Sequence, residues 1–226
     1  MRARPATKTA MIFPAATDAT RPLGGWRLSA LATLGVCATV AGLLIFYGAG
    51  EAGLRAVIRA TARTSFLFFV AGFVAPALLS LRPARPTRWL AVNQSHLFAS
   101  FAASHLIHAA AIFTLAWQTR GASLEGRSLP EIVAGGFVYL YVLVLAAPAF
   151  PAVARWFESR PRARTLRTFG LFAVWLTFMN SYGPRAAASL FYAPFALALV
   201  AALALWLHAS LRAADAPEKA RADARI

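Results

Sequence analysis

Three of the chain's four histidines, His96, His105 and His108, fall in one apolar stretch. In a helix, His105 and His108 sit three residues and so about 60° apart on neighbouring faces, with His96 turned the opposite way near the start. An imidazole inside a membrane is costly unless paired, so such residues mark functional sites by default. Two readings of the pair stay open. One is ligation of a flat cofactor, for which Ala99, Ser100, Ala102, Ala103, Ala109 and Ala110 leave room. The other is a hydrogen bond across a helix interface, His105 to a hydroxyl for instance, which the same small residues would permit. His96 suits an interfacial position, and His208, near the end of the last apolar run, a snorkelling one.

Other donor sets are scarce. The single cysteine, Cys37, excludes an internal disulfide and the zinc and iron–sulfur sites that need several thiolates. Asp18, Glu51, Glu125, Glu131, Glu158, Asp215, Glu218 and Asp223 all lie in loops, tails or helix ends. With no carboxylate at mid-span, a carboxylate-bridged di-metal site is excluded and ion-coupled transport is disfavoured.

The elements that must position these residues are transmembrane helices. Of 226 residues 59% are hydrophobic and only 14% charged, against about 25% charged in ordinary globular proteins. Mean hydropathy is +0.60. Apolar runs predict an all-α, polytopic membrane protein with six transmembrane helices. The spans are Trp26–Gly48, Phe66–Leu81 with an extension back to Ala60, Ser95–Gln118, Glu131–Phe150, Thr165–Tyr182 and Ser189–Ser210. The fifth should stop at Gly183-Pro184, where proline breaks a helix. Pro76, Pro148 and Pro194 are candidate kinks. Residues 26–210 form the membrane domain, residues 1–25 a flexible cytoplasmic tail, and residues 211–226 a second cytoplasmic tail. The first apolar run is too long for a signal-peptide core and reads as a true span.

Charge sets the orientation. Lys and Arg number 23 against 8 Asp and Glu, a formal net charge of +15. Seventeen of the 23 fall in the tails, the second loop and the fourth loop; Arg55, Arg59, Arg63, Arg120, Arg127 and Arg185 fall on the other side. The positive-inside rule then puts both termini in the cytoplasm. Because the basic charge is divided among membrane-flanking loops, nucleic-acid binding is excluded. The lipid bilayer is the partner this pattern implies. Arg55, Arg59 and Arg63, spaced i, i+4, i+8, run against the rule; Arg55 and Arg59 suggest a collar for lipid phosphates, and Arg63 stands nearest the hydrophobic run.

The run from Arg63 to Ile112 resembles the ferric-reductase-like transmembrane domain. Arg63-Thr64-Ser65 opens the second span, and Ser104-His105-Leu106-Ile107-His108 lies in the third. That family includes the haem-bearing membrane subunit of the methionine sulfoxide reductase system. The resemblance implies a six-helix bundle with a b-type haem held by histidines of the third and fifth spans, and it places His108 at the third-span ligand. It is specific over the second and third spans and reaches the rest by helix count. Two stretches depart from it. In Asn93-Gln94-Ser95-His96-Leu97-Phe98, Phe98 stands where the family has a glycine. The fifth span lacks histidine; Trp175 is followed four residues later by Met179, at the family's second ligand position. Methionine can ligate haem iron, and in an apolar helix it is equally a packing residue. On this reading His108 and Met179 face each other at matching depth, His105 is a supporting neighbour or alternative ligand, and Arg63 pairs with a haem propionate or an anionic substrate.

Two functions follow. The first is a membrane oxidoreductase subunit carrying one haem b in an inner (cytoplasmic) membrane of bacterial type. It would take electrons from a quinol or a separate reductase, since the chain leaves no room for a flavin or nicotinamide domain. The second is a haem-free bundle with an accessory, assembly or interaction role.

Overall fold

The computed structural model describes residues 23–125 and 128–223; the expectation of a flexible N-terminal tail falls on residues 1–22, outside that range. Among the described residues there are eight α-helices and no strands. They are α1 (Gly25–Tyr47), α2 (Glu51–Leu81), α3 (Arg85–Val92), α4 (Gln94–Gln118), α5 (Leu129–Ala146), α6 (Pro151–Ser159), α7 (Pro161–Ala188) and α8 (Ala193–Asp223).

α1, α2, α4 and the Leu190–Ala213 stretch are long and apolar enough to cross a membrane. A fifth crossing results if Gly135–Ala149 and Pro151–Ser159, bent by 105°, form one broken span. Composition therefore supports four or five crossings rather than the expected six. The shortfall lies in α7, which carries Arg162, Arg164, Arg167 and Arg185.

Local chemistry accounts for the boundaries. α1 ends at Gly48, whose φ of 78° is open to glycine at little cost, and a three-residue turn leads into α2. α2 starts nine residues before the expected Ala60. Glu51 complements the N-terminal dipole and pairs with Arg55 at 2.7 Å, so the helix extends beyond its apolar window. Two basic loops contain short helices that hydropathy did not reveal. α3 is closed at its start by Thr87 Oγ1, which accepts from the Ala84 N–H at 2.9 Å. α6 has Pro151 in its first turn. α5 stops four residues before the expected Phe150, at a 3-10 turn over Ala147–Ala149 that contains Pro148. α7 runs through Pro184 to Ala188, because a proline near a helix end removes one donor without stopping the chain. α8 continues past the expected Ser210 to Asp223.

Helices α2, α4, α5, α7 and α8 pack in a ring, each against the next, with α8 returning to α2. α1 packs on the outside of α2 and α4, and its Leu31, Leu34, Ile45 and Phe46 are exposed. The interior is aromatic: Phe66, Phe69, Phe73, Phe98, Phe101, Phe178 and Tyr182 are buried with Val142, Leu145, Val174 and Leu199. Lipid tails are as apolar as these side chains, so packing contacts rather than water exclusion hold the ring together. Phe98 of α4 lies close over Gly72 of α2, where an added Cβ would lie 2.9 Å from the ring.

That fit is testable. Gly72→Ala should lower stability in detergent by about 1–3 kcal/mol through overpacking, read as a thermal shift. Pairing it with Phe98→Leu should recover part of the loss; a double variant as unstable as the two single effects combined would refute the contact.

Candidate functional site

The α2–α4 interface carries a hydrogen-bonded cluster of buried hydroxyls. Hydroxyl side chains meet across it: Thr61, Thr64 and Ser65 from α2 and Ser104 from α4. Ser104 is the centre of the seam. Its Oγ donates to the Thr61 carbonyl at 3.2 Å and accepts from Ser65 Oγ at 3.0 Å. Thr64 Oγ1 lies 2.8 Å from it as well, and also donates along its own helix toward the Thr61 carbonyl at 3.1 Å. Thr61 Oγ1 donates back to the Val57 carbonyl at 2.7 Å.

One turn along α4, His108 joins the same seam. Its Nδ1 lies 3.0 Å from the Ile58 carbonyl and 3.1 Å from Thr61 Oγ1. A carbonyl only accepts, and the Thr61 proton is already directed to Val57. The assigned tautomer of neutral His108 therefore carries its proton on Nδ1 and leaves the lone pair on Nε2. His105 lies on the interior side. Its ring stacks on His108 (centroids 5.3 Å apart, planes 22° apart) and meets Tyr139 at 4.9 Å, Phe101 at 5.3 Å and Phe178 at 6.3 Å. His105 Nδ1 is buried and has no hydrogen-bond partner among the described residues. The expected cross-helix bond thus belongs to His108, not to His105.

The remaining predicted residues are dispersed. Half-buried His96 packs edge-on against Trp26 at 5.2 Å, with a buried, unbonded Nδ1; His208 is exposed. Arg63 stands over the Phe191 ring at 4.9 Å, beside a surface cavity. Trp175 Nε1 donates to the Leu199 carbonyl of α8 at 3.0 Å, so the Trp175 face of α7, with Met179 one turn on, is turned toward α8. The α7 side chain beside His105 is Phe178. Successive helical residues point about 100° apart, so Met179 does not share that direction. Among the described residues no group of three or more His, Cys, Asp or Glu is placed to hold a metal ion.

One buried polar group went unrecognised in the sequence. Arg167 is buried in α7; its Nη2 donates to Gln94 Oε1 at 3.1 Å, and Gln94 Nε2 donates to the Gly72 carbonyl at 2.9 Å. The guanidinium lies 5.9 Å from the Phe98 ring centroid. The signal was present: Ala163, Arg167, Gly170, Val174, Phe178 and Tyr182 repeat every three or four residues, and all are buried.

Comparison with family models, curated proteins and solved structures finds no match to this chain.

The Ser104 network gives a stability prediction. Ser104→Ala should cost about 1–2 kcal/mol in detergent unfolding, since it removes the bond to the Thr61 carbonyl and leaves the buried Ser65 hydroxyl without its acceptor. Thr114→Ala, which removes an exposed hydroxyl bonded to its own helix, should be close to neutral. Equal effects from both would show that the seam contributes nothing special.

Proposed function

We propose that this chain is a six-span membrane protein of ferric-reductase-like build that works without haem, as an accessory or assembly subunit. The six-span reading adds α5 and α7 to the four apolar helices. Both sit within the ring, between α4 and α8, and their 18 and 28 residues extend about 27 and 42 Å. The buried Arg167, bonded to Gln94, lowers the hydropathy of α7 while belonging to the bundle interior.

The observation that carries the haem-free reading is the contact between α4 and α7. A porphyrin ligated from both helices requires a flat slot between them and a donor on each side. Phe178 instead packs against Phe101 at 6.1 Å, Phe69 at 5.3 Å and His105 at 6.3 Å. On the α4 side His108 suits a ligand. On the α7 side the face turned to His105 carries Phe178, and Met179, the next residue, points about 100° away around the helix. The residues present do not fit a haem held between these two helices.

A haem-bearing electron-transfer subunit, supplied by a quinol or a separate reductase, is the second reading. One observation favours it. The Nδ1 of His108 is held on the Ile58 carbonyl, the arrangement that fixes the tautomer and orientation of ligating imidazoles.

The charge distribution supports cytoplasmic termini in a bacterial-type inner membrane. Fusion at residue 226 of a reporter active only in the cytoplasm should give signal; activity of a periplasmic reporter there would overturn both orientation and span count. For the cofactor, protein expressed with haem precursor should show no Soret band and no haemochrome. A haemochrome present in the wild type and lost in His108→Ala would replace the haem-free reading with the electron-transfer one.

A further inference from the structure

The arginine row of α2 faces a surface cavity of about 670 Å³. Arg55, Arg59 and Arg63 line it, with Leu43 and Tyr47 of α1 and Phe191 and Tyr192 just before α8. Tyr47 ends one apolar span and Leu190 begins another, so the cavity lies where both spans reach the membrane surface. Tyrosines at that level suit the headgroup region. Its charge is unbalanced. Arg55 is paired with Glu51, while among the described residues no acid lines the cavity against Arg59 or Arg63.

The row continues inward with a change of character. Four residues beyond Arg63 is Leu67, 61% exposed. The successive steps Arg55, Arg59, Arg63 and Leu67 drift about 40° each around α2, so they stay on one broad side of the helix. Phe46 and Leu190, each next in sequence to a residue that lines the cavity, are also exposed, as is Leu197 of α8. A furrow that is cationic at the membrane surface and apolar toward the membrane interior matches an anionic amphiphile. A soluble anion would leave the apolar part of the furrow unused.

We propose that this furrow is a binding site for an anionic phospholipid, its phosphate held by Arg59 and Arg63 and its acyl chains laid along Leu67 and the exposed flank of α8. The guanidinium fork matches phosphate oxygens in shape and charge. The site accounts for three arginines at the end of the bundle that the positive-inside rule leaves poor in basic residues. It depends on membrane insertion of α1 and α8, not on whether haem is bound.

The test is lipid retention by the full chain, read by native mass spectrometry after purification in detergent. Phosphatidylglycerol, phosphatidylcholine and glycerol 3-phosphate are the three probes. Phosphatidylglycerol should be retained in preference to phosphatidylcholine, and glycerol 3-phosphate should fail to displace it. Arg59→Gln and Arg63→Gln should each lower retention about fivefold, the effect of one cation near a lipid phosphate. Arg120→Gln, outside the cavity, should leave it unchanged. Equal retention of the two lipids, displacement by glycerol 3-phosphate, or an equal loss in Arg120→Gln would each overturn the site. If Arg63→Gln fails to fold, the exposed Arg59→Gln decides the question.

Discussion

The bundle depends on the hydroxyl of Ser104. Inside a bilayer apolar helices gain little by exchanging lipid for one another, so close packing and cross-helix hydrogen bonds decide which pairs form. Ser104 finds its partners on α2: it donates to the Thr61 carbonyl, accepts from Ser65 and lies 2.8 Å from the Thr64 hydroxyl. That fixes the rotation of α4 against α2. With the rotation fixed, Phe98 meets Gly72, and His108 reaches the Ile58 carbonyl one turn from Ser104. The outward course of the remaining helices follows from the aromatic face these two then present to α5, α7 and α8.

The sequence disclosed this architecture unevenly, for physical reasons. The spans around α1 and α4 were legible to within a residue or two at each end, because hydropathy and helix end there together. α2 began much earlier than read, since its first three turns carry arginines on an otherwise alanine-rich helix. α3 and α6 were invisible to a search for long apolar runs because each is short and amphipathic. Pro184 was read as a stop, although proline ends a helix only when the surrounding contacts do not hold the chain in register.

The candidate site shows the same division. That His105 and His108 lie together was legible from helical period alone, and the structure stacks them. Which of the two is hydrogen-bonded was not, because it depends on the carbonyl that α2 brings opposite. Met179 illustrates the limit further. Matching depth along two helices says nothing of rotation, and rotation is set by contacts such as the Trp175 bond to Leu199. A difference of one residue, about 100° around the helix, separates a side chain beside His105 from one facing α8.

Arg167 ties the charge pattern to the fold. Counted as a basic residue at the cytoplasmic boundary, it belonged to the majority that sets orientation; buried and bonded to Gln94, it is part of the interior. Removing it from the count leaves sixteen basic residues against six, so the inferred orientation stands without it. Its own position is then a matter of local compensation. Gln94 accepts from the guanidinium with its oxygen and uses its nitrogen on the Gly72 carbonyl, linking α7 to the turn of α2 on which Phe98 rests. The buried cation therefore braces the α2–α4 contact from the far side of the ring. A polar group in this bundle is tolerated where a neighbouring helix offers it a partner, and Arg59 and Arg63 of α2 differ in lining a surface cavity rather than the interior.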